Sequence, residues 1–254
     1  MQVAKSSRFI TIPFSHYCEK ARWALDRAGH SYHEEPHSPG FHRIATKAVG
    51  AQGSVPVLVT AERRVIDDST AILQHVGAEA RLFPVDSLLR DDVMALEERF
   101  DTELGPHLRR SMYFHALADA SVAKTLLGKG VPWWERALLV PLFPALRRFM
   151  KKSMRIDVAR AAKSDAIVRA VFADVGRRLS DGRKWLVGDT FTAADLTFAA
   201  LAAPAIRPAA YAKYIPSEDI LPPTLRSFID ELRASPAGQF ALRVYDEERN
   251  RVVG

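Results

Sequence analysis

Ser15 stands in the stretch Ser15-His16-Tyr17-Cys18, where the apolar run Phe9-Ile10-Thr11-Ile12 gives way to residues with helical spacing. Redox proteins place two cysteines at this separation. Here the leading position is a hydroxyl, and only Cys18 is a thiol. A serine at such a junction caps the helix or presents its O–H to an anion beside the positive helix end. Cys18, one turn inside, is open to two readings: a redox thiol or a small buried apolar group. His16 is open to three: it polarises Ser15, contacts a ligand or is exposed to solvent.

Two further short stretches carry polar chemistry. Val55-Pro56 opens a β-branched run, Ser54-Val55-Pro56-Val57-Leu58-Val59-Thr60. Proline is tolerated there because its missing N–H costs nothing at a strand start. A cis bond before it would turn the Val55 N–H and C=O outward, free to pair with an extended ligand backbone. Asp68-Ser69 precedes an apolar-periodic segment, so it marks a helix N-terminus, where free N–H groups and the dipole favour a carboxylate. With the Asp68 carboxylate beside the Ser69 hydroxyl, the pair suits an end group carrying both an ammonium and a carboxylate.

These residues need elements to hold them. Residues 8–13 read as a strand, and Ala21, Ala24, Leu25 and Ala28 form one face of a following helix that stops at Gly29. Ser31 to Pro36 is a second, weakly alternating strand, and 37–53 reads as a loop rich in Gly, Ala and His. The β-branched run then pairs with Val65-Ile66-Asp67-Asp68 as a hairpin, so the sheet must be mixed. Ser69 is expected to cap the next helix, with Ile72, Leu73 and Val76 buried and Gly77 ending it. Residues 79–87, containing Pro84, read as a linker. Beyond it, Leu89, Val93, Leu96, Phe100 and Leu104 define a helix that Gly105-Pro106 should close. Residues 107–165 read as helical with breaks at Gly128, Gly130, Pro132, Pro141 and Pro144, and Ile167, Val171 and Val175 begin another helix. Thr192 and Asp195 form a capping box, with Phe191 and Leu196 as its hydrophobic staple, and this helix should stop at Pro204. A final helix is expected over 223–234.

Composition narrows the function classes. The 254 residues are 48% hydrophobic and 26% charged, with mean hydropathy −0.10, which supports a packed core and a soluble surface. No apolar run approaches the roughly 18 to 20 residues that span a bilayer. The single cysteine excludes an internal disulfide, and Met1 to Phe9 lacks a secretory apolar core. The expected location is the cytoplasm. The net charge of +6 favours small anionic ligands. Binding nucleic acid calls for a basic stripe with interleaved aromatics or a known module; the nearest candidate, the basic run 147–155, reads as a solvated helix face, so nucleic acid is not an expected partner. His30, His33, His37 and His42 lack ligand spacing, so no metal is expected. Lys20 and Arg22 are expected to be solvated or to pair with nearby acids. The segment 133–152 could be a lid over a pocket. Its prolines argue against one amphipathic helix, so membrane contact is not expected.

In this order, Ser15 to Leu25, Ser54 to Leu58, Asp67 to Ile72, Arg81 to Pro84 and Val187 to Leu196 resemble the glutathione transferase superfamily over nearly the whole chain. The resemblance implies an α/β thioredoxin-like N-terminal domain (1–78), a linker (79–87) and an all-helical domain (88–254). It implies glutathione as co-substrate, an apolar electrophile as second substrate, and a homodimer. Ser15 occupies the position of the catalytic serine, whose implied role is to donate a hydrogen bond to the glutathione sulfur. Lowering a thiol pKa of about 8.5 by about two units requires roughly 2.7 kcal/mol. One hydrogen bond to a charged acceptor supplies about 1.5–3 kcal/mol. Val55 and Pro56 would hold the peptide backbone of glutathione, and Asp68 and Ser69 its γ-glutamyl end. His16 is a further candidate contact. The approach Lys47 to Pro56 departs from the family pattern, leaving Lys47 and Gln52 as candidates for the glycine carboxylate. Two other functions share this frame: a glutathione-dependent thiol or peroxide reductase using Cys18, and a non-catalytic scaffold.

Overall fold

The computed structural model describes residues 6–253. The first elements are β1 (Ser7–Thr11), α1 (His16–Arg27), β2 (Tyr32–Pro36), α2 (Phe41–Ala48), β3 (Val57–Val59), β4 (Val65–Ile66) and α3 (Ser69–His75). The four strands form one mixed sheet in the order β2-β1-β3-β4. β1 runs parallel to β2 and antiparallel to β3, and β3–β4 is the expected hairpin. Adjacent residues of β1 point to opposite faces, yet Phe9 and Ile10 are both fully buried. The sheet is therefore covered on both sides. Phe9 joins the core with Trp23, Leu58 and Ile72, whereas Ile10 packs with Ala51 and Val57 against Ala45 and Val49.

That second layer corrects the expected loop at 37–53, which contains α2. Its signal was faint because its N-cap is Gly40, which has no capping side chain, and because its inward residues are small. Ser69 is not the cap of α3 either. The Asp68 side chain takes that role, accepting the Ala71 N–H at 2.9 Å.

The helical region comprises α4 (Ser87–Arg99), a π-turn (Phe100–Leu104), α5 (Gly105–Ala116), α6 (Ala120–Gly128), α7 (Trp133–Ser153), α8 (Val158–Arg178), α9 (Ala193–Ile206), α10 (Pro223–Ala234) and α11 (Pro236–Glu248). α9 is apolar all round and fills the centre, as burial on every side requires. Its capping box is present: Asp195 accepts the Thr192 N–H at 2.8 Å and also the Leu186 N–H at 2.8 Å. Pro204 lies inside this helix, which runs on to Ile206.

Three other expected breaks are absent. Gly105-Pro106 opens α5 rather than closing α4, because the π-turn resets the hydrogen-bond ladder and leaves Pro106 in a first turn, where its missing N–H costs nothing. Pro141 and Pro144 lie within an unbroken α7. Their rings free the carbonyls of Ala137 and Val140, both on exposed residues, a side open to solvent rather than core. α11 is an element the sequence reading missed, although Ser235 caps it and Ala237, Phe240, Ala241 and Val244 carry helical spacing.

α1 joins the sheet to the helices through buried charge. Lys20 is fully buried and donates to Thr70 at 2.8 Å and to Asp101 at 2.7 Å, and it also pairs with Glu97. Arg22, also buried, donates to Glu19 and Glu34 at 2.6 Å each. Of the two expectations for these cations, pairing holds and solvation does not. Trp23 lies on the same helix, stacked on Phe191 with ring centroids 6.0 Å apart.

Candidate functional site

A cavity of about 410 Å³ opens where the β1–α1 junction faces the helical region. One end is lined by Ser15, His16, Gly53, Ser54 and Val55; the other is apolar, with Met112, Tyr113, Leu126 and Met150 among its walls. Ser15 is half-buried at the polar end. Its extended backbone ends β1's loop and starts α1, and its Oγ accepts the Cys18 N–H at 3.4 Å. That contact is long for a hydrogen bond, and in it the hydroxyl oxygen accepts, so the hydroxyl proton is not used there. The Val55-Pro56 bond is cis.

His16 is 4% exposed, so its reading as a solvent-exposed residue is overturned. Its ring packs edge-on to Tyr17, with centroids 4.7 Å apart. Burial, with the Arg109 charge second, holds its pKa down to about 3, so the imidazole is neutral and cannot serve as an ammonium-like cation. Cys18 is fully buried, and desolvation pushes its thiol up to about 11. It lies outside the cavity lining, one turn below Ser15.

The other expected site residues cluster at the rim rather than in the cavity. The Gln52 N–H donates to Asp67 Oδ2 at 3.3 Å, which ties the turn before Pro56 to the start of α3. Asp68 is exposed beside it, and Ser69 is buried beneath. Asp68 is engaged as a cap through one oxygen, leaving the other free. Lys47 is exposed and lies against Gly53, as does Arg43. Arg43, Arg109 and Tyr113 line the cavity and were not singled out from the sequence. Arg109, Met112, Tyr113 and Ala116 fall at helical spacing, which the sequence displays; which way that face points is a tertiary matter. Arg109 sits over the Tyr17 ring at 5.8 Å, and the Tyr17 hydroxyl donates to the Asp101 carbonyl at 2.9 Å. Among the described residues no cluster of three or more His, Cys, Asp or Glu could hold a metal.

A four-stranded mixed sheet with helices on both faces, followed by a helical bundle and joined at a cleft carrying a hydroxyl on a helix N-terminus, is the architecture of a thioredoxin-like domain with an all-α partner. Residues 9–82 match the glutathione S-transferase N-terminal domain family. The whole fold is similar to solved structures. A glutathione S-transferase from Xanthobacter autotrophicus Py2 is 22% identical with a TM-score of 0.57, over 91% of this chain and 95% of that one. The β-etherase LigF from Sphingobium sp. strain SYK-6 is 18% identical with a TM-score of 0.59, over 94% and 99%. Ure2p in complex with glutathione is 17% identical with a TM-score of 0.58, over 96% and 95%. At these identities the likeness establishes the fold. No match was found among curated proteins.

Proposed function

We propose that the protein is a glutathione transferase in which Ser15 activates the bound thiol for attack on an apolar electrophile. The observation that carries this is the position of Ser15: a half-buried hydroxyl on the N-terminus of α1, at the junction between a polar rim and an apolar cavity. Residues 1–78 would bind glutathione, residues 88–254 would supply the acceptor wall, and 79–87 would connect them. Glutathione would lie across Val55-Pro56, its γ-glutamyl end at Asp68 and Ser69 and its glycine carboxylate near Lys47 and Gln52. Its sulfur would reach Ser15. The hydroxyl donates to that sulfur and the α1 dipole adds positive potential, so the thiolate is favoured without a base. The neutral, buried His16 borders the same end and supplies an uncharged wall. The thiolate then adds to carbon held against Met112, Tyr113 and Leu126, as substitution, conjugate addition and isomerisation all begin.

Cys18 takes no part in this chemistry. A fully buried thiol with its pKa raised to about 11 is protonated and out of reach of a disulfide or peroxide. A homodimer in the cytoplasm is the assembly and location this family reading proposes.

Calorimetric titration with glutathione on wild type and Ser15→Ala tests the assignment. Similar affinity in both, with turnover lost only in the variant, is the expected result. No binding by the wild type would leave a scaffold with the fold but not the ligand.

A further inference from the structure

Helix α7 leaves most of one face unpartnered, although Trp134 on it meets Phe41 edge-on, with ring centroids 5.5 Å apart. Its inward residues Glu135, Leu139, Phe143 and Met150 are buried. Opposite them, Trp133, Trp134, Leu138 and Val140 are exposed, Trp133 at 76% and Val140 at 58%, and Ala137, Pro141, Pro144 and Ala145, also exposed, continue that surface. An apolar face of this kind on a soluble chain marks a contact surface. The prolines argued against such a helix in the sequence; in the structure it is continuous from Trp133 to Ser153.

Charge identifies the partner. The only acid on α7, Glu135, is buried and bonded to His37 and to the Ser38 N–H. Beyond the apolar stretch the outward face turns cationic, with Arg148, Lys151 and Lys152 beside Arg147 around a shallow depression that also holds Phe143 and Pro144. Along the chain, the described ion pairs pass from Glu135–His37 to Arg160–Asp157, and Arg148, Lys151 and Lys152 are in none of them. A second copy docked through the same face would bring no acid to these cations. An anionic bilayer supplies both missing complements: an acyl boundary for the tryptophans and leucine, and negative headgroups for the lysines and arginine. Tryptophan is also the side chain that best suits the boundary, with an apolar body and one N–H for the wet side. No described helix is long and apolar enough to cross a membrane, so the contact lies in the surface plane.

We propose that α7 seats the protein on an anionic phospholipid surface, with Trp133, Trp134, Leu138 and Val140 entering the headgroup boundary and Arg148, Lys151 and Lys152 facing the headgroups. The same helix lines the cavity from its other side, through Leu146, Met150 and the half-exposed Phe149.

The test is co-sedimentation of the full chain with vesicles of phosphatidylcholine alone and of phosphatidylcholine mixed with phosphatidylserine, at low salt. Of the four tryptophans, Trp23 and Trp185 are buried, so a change in emission reports on Trp133 and Trp134. The expected result is binding to the mixed vesicles with a blue-shifted emission. Lys151→Glu with Lys152→Glu should weaken that binding by about thirtyfold or more, the loss that two surface cations imply. Leu138→Asp with Val140→Asp should abolish the blue shift with both tryptophans retained. Circular dichroism of the variants establishes that each is folded. Absence of vesicle binding by the wild type, or binding that both folded variants retain in full, overturns the proposal. So does a self-associated species in the ultracentrifuge that Leu138→Asp with Val140→Asp dissolves, in a protein that ignores vesicles.

Discussion

Replacing Ser15 by alanine removes one oxygen at the polar end of the cavity and should move the pH dependence of catalysis. The hydroxyl-to-sulfur bond contributes about 1.5–3 kcal/mol when the acceptor is charged, so kcat/KM at neutral pH should fall by about ten- to a hundredfold. The cost to folding should be small. Ser15 caps α1 through a 3.4 Å contact, which places the loss near the low end of cap substitutions, about 0.5 kcal/mol. The diagnostic readout is kcat/KM for a general aryl electrophile against pH. In the wild type the rise should report the thiol of bound glutathione, about two units below the free value near 8.5. The variant's rise should return toward that value, and the two rates should converge at alkaline pH, where glutathione ionises unaided. The neighbouring titratable groups do not blur this reading. His16 is held down to about 3 and Cys18 is pushed up to about 11, so neither changes charge across the working range. A folded variant whose rate and profile superimpose on the wild type would refute the role given to the hydroxyl.

Other perturbations follow from the packing. Gly105→Ala places a Cβ 2.1 Å from the Tyr17 hydroxyl and 2.6 Å from its ring carbon, so it should cost about 1–3 kcal/mol in urea denaturation. Tyr17→Phe in the same chain should recover part of that loss. Lys20→Met leaves Glu97 and Asp101 without their buried cation and should cost about 3–5 kcal/mol by the same measurement. His16 has a folded pKa near 3 against 6.5 unfolded. As pH falls below about 6.5 the unfolded chain takes up a proton that the folded chain refuses. Its contribution to stability is therefore present above that pH and should decline by up to about 1.4 kcal/mol per unit toward pH 3. Subtracting the stability curve of His16→Asn from that of the wild type isolates this slope; a flat difference would show the ring to be solvated.

Much of the frame was legible in the sequence because its signals are local. The β-branched run at 57–59, the Thr192–Asp195 capping box and the helix at 223–234 each depend on neighbours a few residues away, and each is in the structure. Ser15 at a strand–helix junction was legible for the same reason. The breaks at Pro141 and Pro144 were misread because the effect of a proline depends on whether the carbonyls it frees face water or core, and the chain alone does not state which. The same limit hid α2, whose buried side is small, and the inward turn of Arg109 and Tyr113 on α5. It also hid the burial of Lys20 and His16. A lysine reads as surface until Glu97 and Asp101, some eighty positions away, are seen to close around it. A histidine reads as a titrating loop residue until packing strips it of water. Local chemistry was written in the order of residues; which groups lose solvent, and so which charges and pKa values the protein has, was decided only when distant segments met.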